Sequence, residues 1–286
     1  MTDIKLISLD VDGTLLTSTG KLLDQNKKVI QKAIKNDIHV VLNSGKPPCA
    51  LAGLIPELGL KDPISTMGGA LILDITDPED WTVIHMENLP GDILFKLAPL
   101  VEGLSLTIQI HTAQETYFYH EKDDEEYCAY FKEYLNKNTF PGGVFLDRSP
   151  LTEFHLDPSP IIKIVFHSDE DEPVDEAFQH IKGIEDEIIM IGYSSPRTID
   201  LSPRASGKKE AIEYLCRLYD IKPGEVLALG DYETDLDLIN WAGVGAVMAN
   251  APEFVLAKAP HIAPENDQAG VAQMIEEFVL KGLQEP

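Results

Sequence analysis

Short apolar runs that stop at acidic residues set the frame of this chain. Ile4-Lys5-Leu6-Ile7-Ser8-Leu9 runs straight into Asp10-Val11-Asp12-Gly13, the pattern of a buried strand ending in a glycine turn. Residues 25–37 follow with Val29, Ile30, Ala33 and Ile34 on one helical face and Asp24 placed as its N-cap. Ile38-His39-Val40-Val41-Leu42 predicts a second strand, closing on Asn43-Ser44-Gly45. Strand, helix, strand with continuously apolar strands predicts a parallel sheet covered on both faces.

The last third repeats this grammar. Residues 206–219 put Ala211, Ile212, Leu215, Cys216 and Tyr219 on one stripe, as an amphipathic helix does. A buried strand over 225–230 stops at Asp231, a helix is predicted over 233–241, a strand over 244–248 and a closing helix over 270–280. The middle reads differently. Segments 106–110, 116–119, 161–166 and 187–193 alternate apolar and polar positions, which predicts a mostly antiparallel sheet with one covered face. The expected organisation is therefore an α/β, Rossmann-like parallel-sheet core over 1–84 and 196–286, with an α+β domain inserted over 85–195. Proline-containing joints at Asp77-Pro78 and Ser195-Pro196 suit the two crossings.

Composition narrows the function classes. With 44% hydrophobic residues, 286 positions can bury a sizeable core, as one large or two medium domains. Lys and Arg number 23 against 48 Asp and Glu, a formal net charge of -25. Such a surface repels nucleic acid and anionic membranes, and any phosphate substrate must be met by local cations. Acidic stretches at 121–126 and 169–172 read as solvated loops or helix starts. Cys49, Cys128 and Cys216 form no CxxC pair, which speaks against a disulfide framework and a zinc site and fits a reducing compartment. With no apolar run of membrane length and no signal-peptide pattern, the expected location is the cytoplasm.

The candidate chemistry sits where strands end. Asp10 and Asp12 close the first strand, with Thr14 just beyond, and Asp231 and Asp235 close a later one. In open α/β sheets ligands bind outside the carboxyl ends of the strands. If these strands are neighbours, up to four carboxylates converge, and like charges that close call for a cation; hard oxygen ligands favour Mg²⁺. Ser44 and Gly45 offer a hydroxyl and approachable N–H groups to a phosphate. Lys208, opening the helix before the strand that ends at Asp231, offers a point cation.

In that order, Asp10-Val11-Asp12-Gly13-Thr14, Asn43-Ser44-Gly45-Lys46, Lys208 and Gly230 to Asp235 resemble the four motifs of the haloacid dehalogenase superfamily of phosphatases. The nearer resemblance is to its Cof-type branch, with a large α/β cap inserted between the second and third motifs. Val247-Met248-Ala249-Asn250-Ala251-Pro252 and 265–272 resemble the branch's later signatures. Three positions depart from the usual pattern: Lys46 stands for Arg, Thr234 for Asn and Ala249 for Gly.

The resemblance implies a Mg²⁺-dependent phosphatase acting on small phosphate monoesters through an aspartyl-phosphate. Asp10 is then the nucleophile and a metal ligand. Asp12 protonates the leaving alcohol and then activates water, its backbone carbonyl touching the metal. Ser44, Gly45 and Lys208 hold phosphoryl oxygens, and Asp231 binds Mg²⁺. Asp235, Thr14, Lys46 and Asn250 support the site. A phosphomutase of the same superfamily and a silent phosphate-binding regulatory module are the alternatives. Substrate choice is expected in the cap, with His85, His111, Tyr117, Tyr119, His120 and His155 as candidate contacts and a sugar phosphate as the leading substrate class.

Overall fold

The computed structural model describes residues 3–78, 80–113, 115–120, 143–145, 160–186, 188–195 and 197–282. The acidic stretch 121–126, Cys128 and His155 lie outside them. The chain divides into two compact units, one of Met1–Lys46, Leu51–His85 and Gly207–Pro286, the other of Pro47–Ala50 and Met86–Ser206. The first unit holds β1 (Leu6–Leu9), β2 (His39–Leu42), β3 (Ile64–Thr66), β4 (Leu71–Asp74) and, at its boundary, β5 (Thr82–Met86). The second holds β6 (Thr107–His111), β7 (Thr116–His120), β8 (Gly143–Phe145), β9 (Lys163–His167), β10 (Ile189–Ser195) and β11 (Thr198–Pro203). The chain then returns to the first unit for β12 (Val226–Gly230), β13 (Val244–Met248) and β14 (Ile262–Ala263).

In the first unit the strands run in the order β14-β13-β12-β1-β2, and every pairing is parallel. All four residues of β1 and all five of β12 are buried. Only strands covered on both faces can be apolar throughout, which is why the runs read without alternation. The helix Lys208–Tyr219 contributes Ala211, Ile212, Leu215 and Cys216 to a cluster with Leu6, Val41, Val226 and Ala228. Leu9 is level with Leu229 on one side and Leu42 on the other. Asp10, Asn43 and Asp231 therefore leave the sheet at one edge.

The helix Asp24–Lys35 takes Asp24 as its first helical residue, with Leu23 rather than Asp24 at the cap and no side-chain cap. Its charge still follows the peptide dipole, Asp24 in the first turn and Lys32 and Lys35 in the last. The helix stops short of 37 because Asp37 turns into the left-handed region, φ 59°. A three-stranded sheet in the order β3-β4-β5 completes the unit.

His39 opens β2 at the end away from Asp10. Its Nδ1 lies 2.6 Å from Asp62 Oδ1, its ring stacks on Tyr219 with centroids 4.1 Å apart, and Asp62 Oδ2 accepts the Val40 N–H at 2.9 Å. The hydrogen bond to Asp62 raises the His39 pKa; the charges of Asp62 and Asp37 add to it, and burial opposes them. A folded-state pKa above the unfolded value stabilises fully below the unfolded value, near 6.5. That contribution fades as pH rises through the higher folded value. Asp62→Asn is accordingly expected to lower the thermal midpoint at every pH and to lower it more at pH 5.5 than at pH 9. A loss of equal size at both pH values would contradict this.

In the second unit the strand order is β10-β11-β9-β6-β7-β8, antiparallel except for the β7–β8 pair. Ile108, Ile110, Ile164, Phe166, Ile199 and Leu201 share one face with Leu94, Leu97 and Val101 of the helix Ile93–Val101. Val174, Ala177 and Ile181 of the helix Asp171–Ile181 pack into the same cluster. On alternate positions sit Lys163 and Asp200, an ion pair at 2.5 Å. The unit runs to Ser206 rather than ending at residue 195, because β11 pairs between β10 and β9 and so belongs to this sheet.

Candidate active site

Beyond β1 the backbone makes one wide turn, Val11–Leu15, closed by the Leu16 N–H donating to Val11 O at 2.9 Å. Asp12 is extended within it, and Gly13 takes φ 73°. A Cβ on Gly13 would lie 2.2 Å from Asp231 Oδ2, so only glycine lets the two motif loops approach this closely. Gly230 serves the same end, since a Cβ there would lie 2.3 Å from Asp235 Cγ.

Lys208 is 8% exposed and lies between two carboxylates, its Nζ donating to Asp10 Oδ1 and to Asp235 Oδ1, each at 2.6 Å. Asp235 Oδ2 accepts the N–H groups of Asp231 and Tyr232 at 3.2 and 3.1 Å, and Thr14 Oγ1 donates to Asp231 Oδ1 at 3.3 Å. Asp10, Asp231 and Asp235 each bring a carboxylate oxygen within 4.8 Å of the others.

The electrostatics of this group are strained. Burial pushes the Asp10 carboxyl up to about 8, with Lys208 pulling it down and Asp235 pushing it further up. Burial, then the charge of Asp235, pushes Asp231 up to about 6, against Lys208 and the Thr14 hydrogen bond. Lys208 is held above the ordinary lysine value because Asp10 and Asp235 outweigh the burial that opposes its charge. One ammonium thus serves a cluster of three carboxylates, two of them pushed toward protonation. A hard divalent cation with oxygen ligands would relieve that excess, so the donor set fits Mg²⁺.

The remaining motif residues are placed as follows. Ser44 is buried, its Oγ accepting the Lys46 N–H at 3.2 Å. Lys46 Nζ lies 3.0 Å from Asp12 Oδ1, and the Asp12 side chain is 57% exposed. Its carboxylate therefore faces a cation and solvent, and among the described residues it does not join the cluster of three. Asn250 donates to Gly13 O at 2.8 Å.

Asn43, whose side chain the motif pattern does not single out, also belongs to the site. Its Nδ2 donates to Lys208 O at 2.9 Å while its Oδ1 accepts from Ser65 Oγ at 2.8 Å, so β2 and β3 hold the start of the lysine's helix. Its position directly before Ser44 was the available signal. Of the candidate substrate contacts, His111 and Tyr117 are packed into the second unit, with His111 Nδ1 2.9 Å from Thr116 Oγ1 and the Tyr117 hydroxyl bonded to Glu115. His85 stacks on Tyr214 with centroids 4.7 Å apart. All three have structural partners.

The haloacid dehalogenase-like hydrolase family matches over residues 7–275. The chain belongs to that family of hydrolases. Bacillus subtilis YxeH is 28% identical over 283 residues, covering 96% of this chain and 98% of its own. The 5-amino-6-(5-phospho-D-ribitylamino)uracil phosphatase YcsE of Bacillus subtilis is 23% identical, with 97% of each chain covered. Among solved structures, the sugar phosphatase BT4131 of subclass IIB superposes with a TM-score of 0.77 at 19% identity, over 96% of this chain and 98% of that one. That likeness speaks to the fold. With this family and these relatives, the chain is a phosphatase. Among the described residues no helix is long and apolar enough to cross a membrane.

Proposed function

We propose that this phosphatase hydrolyses small phosphate monoesters, sugar phosphates foremost, through an aspartyl-phosphate on Asp10 and with Mg²⁺ as cofactor. The observation that carries the reading is the buried Asp10 carboxylate, joined to Lys208 at 2.6 Å and set within 4.8 Å of Asp231 and Asp235. Asp10, Asp231 and the Asp12 carbonyl would hold the cation, with Asp235 steadying Asp231 and Lys208. When bound, Mg²⁺ supplies positive charge against the phosphoryl oxygens and the Asp10 carboxylate.

The residues of the chain do the rest. Asp10 attacks phosphorus, the ester P–O bond breaks, and Asp12 gives its proton to the departing alkoxide. Asp12 then takes a proton from water, whose oxygen attacks the same phosphorus. The bond to Asp10 breaks and inorganic phosphate leaves, so ester and water give alcohol and phosphate. Ser44 Oγ–H, the Gly45 N–H and Lys208 hold the phosphoryl oxygens, and phosphoryl transfer depends more on this alignment and neutralisation than on nucleophile strength. Asp12 contributes the roughly 10²–10⁴-fold typical of acid–base catalysis. Its half-exposed carboxylate, steered by Lys46, can reach a leaving group on the solvent side.

Substrate choice turns on the leaving group. Relatives named for a sugar phosphate and for a phosphoribityl compound favour a polyhydroxylated alcohol as that group. Phosphate release from p-nitrophenyl phosphate and a sugar-phosphate panel, with Mg²⁺ and with EDTA, tests the whole reading. Turnover with Mg²⁺ and its loss in EDTA are expected, with sugar phosphates leading. Isomerised sugar phosphate without free phosphate would instead identify a mutase, and ligand binding without turnover a regulatory module.

A further inference from the structure

The turn that carries Asp12 is held by three asparagines, one from the helix Asp24–Lys35 and two from the C-terminal part of the chain. Asn250 Nδ2 donates to Gly13 O at 2.8 Å, Asn26 Nδ2 to Leu15 O at 3.2 Å, and Asn266 Nδ2 to Leu16 O at 2.8 Å. The other ends of two of these amides are also engaged. Asn250 Oδ1 accepts the Asn266 N–H at 3.0 Å, and Asn26 Oδ1 accepts the Ala272 N–H at 3.0 Å. Gly13, Asn250, Asn266 and Leu16 thus close a ring of hydrogen bonds, and Asn26 joins the same turn to the start of the helix Gly270–Phe278. Just beyond, Asp267 takes the Ser18 N–H and hydroxyl at 2.8 Å each.

This is more anchoring than an ordinary turn needs. Asn26 is fully buried and Asn266 is 4% exposed, and a buried amide costs stability unless its groups are matched. The turn itself is irregular, with an extended residue and a left-handed glycine inside one wide loop, a shape that surrounding contacts must impose. Asp12 has little other support. Its carboxylate is more than half exposed and is held by Lys46 alone among the ion pairs described. The backbone of the turn therefore sets where its proton can be delivered.

We propose that Asn26, Asn250 and Asn266 act as a clamp on the 11–16 turn, positioning residues that hold Asp12 in register with the leaving group. The inference rests on the phosphatase reading above. It makes the 266–272 segment a partner of the reaction without touching substrate. Loosening the clamp displaces a proton donor, and a displacement of about 1 Å can cost on the order of 10²-fold. The loss falls where the proton matters. An alkyl phosphate needs its departing oxygen protonated, whereas p-nitrophenolate leaves readily without it.

The test compares Asn266→Asp, which keeps the shape and removes the donor, with Asn250→Ala at an exposed site where folding is not at stake. For each, kcat and KM are measured on p-nitrophenyl phosphate and on glycerol phosphate with Mg²⁺. Glycerol phosphate turnover is expected to fall about tenfold more than p-nitrophenyl phosphate turnover, in kcat with KM held within about threefold. Equal losses on both substrates mean a structural role only and overturn the clamp, as does wild-type behaviour of Asn250→Ala. A wild type that releases no phosphate from either substrate sinks the phosphatase reading itself, and that is seen before any variant is made.

Discussion

Asp10→Asn is expected to abolish phosphate release, by at least about 10⁴-fold in kcat, while leaving the metal-free fold as stable as wild type or more so. The two halves of this result come from one feature. In the proposed mechanism Asp10 is the protein group that bonds covalently to phosphorus, and an amide cannot replace its carboxylate. The same carboxylate is costly to the fold, because burial and the charge of Asp235 push it up to about 8. Asparagine keeps the shape and carries no charge, and Lys208 retains Asp235 at 2.6 Å. A variant that lost activity by unfolding would show a lowered thermal midpoint. Here the midpoint should hold or rise as activity vanishes.

Lys208→Met should do the opposite to stability. Its ammonium is 8% exposed and bridges two buried carboxylates. Removing it strands both, and breaking a buried ion pair from one side costs about 3–5 kcal/mol. Turnover should fall by on the order of 10²–10³-fold as well, the size expected when a preorganised donor to the reacting group is lost. Adding Asp10→Asn to this variant should recover part of the lost stability, because residues that share a partner are coupled. Equal midpoints for the single and double variants in the absence of metal would count against the crowding described here. Lys208→Arg is not a rescue, since a planar guanidinium does not fit a gap shaped for one nitrogen 2.6 Å from each carboxylate.

The parallel strands were readable because they are buried on both faces, and an uninterrupted apolar run has few other readings. β1, β2, β12 and β13 fall within two residues of the expected segments. The resemblance of Asp10, Asp12, Ser44, Lys208, Asp231 and Asp235 to known motifs named a chemistry that spacing alone left open. The three-residue β3, bent away at Met67-Gly68-Gly69, gave no periodic signal, and neither did its sheet. β11 was hidden because Ser195-Pro196 reads as a joint, whereas β10 and β11 pair antiparallel within one sheet. The asparagine contacts to the 11–16 turn were invisible for a different reason. A lone Asn in sequence looks like a turn or cap residue, and Asn26 and Asn266 acquire their meaning only when the fold brings Leu16 to Asn266, 250 positions away, and Asn26 to Ala272, 246 positions away. Nor could sequence tell that Asp12 would face Lys46 and solvent rather than its fellow carboxylates.

The central claim is that phosphate passes through Asp10. Asp12→Ala, in which the proposed mechanism predicts slowed hydrolysis of the intermediate, mixed with substrate and Mg²⁺ and quenched in acid within milliseconds, tests it most directly by peptide mapping. The expected result is one phosphoryl group on Asp10, labile to hydroxylamine and missing when EDTA is present. Phosphate release from the wild type with no phosphoryl group on Asp10 at any quench time, and Asp10→Asn still active, would contradict it.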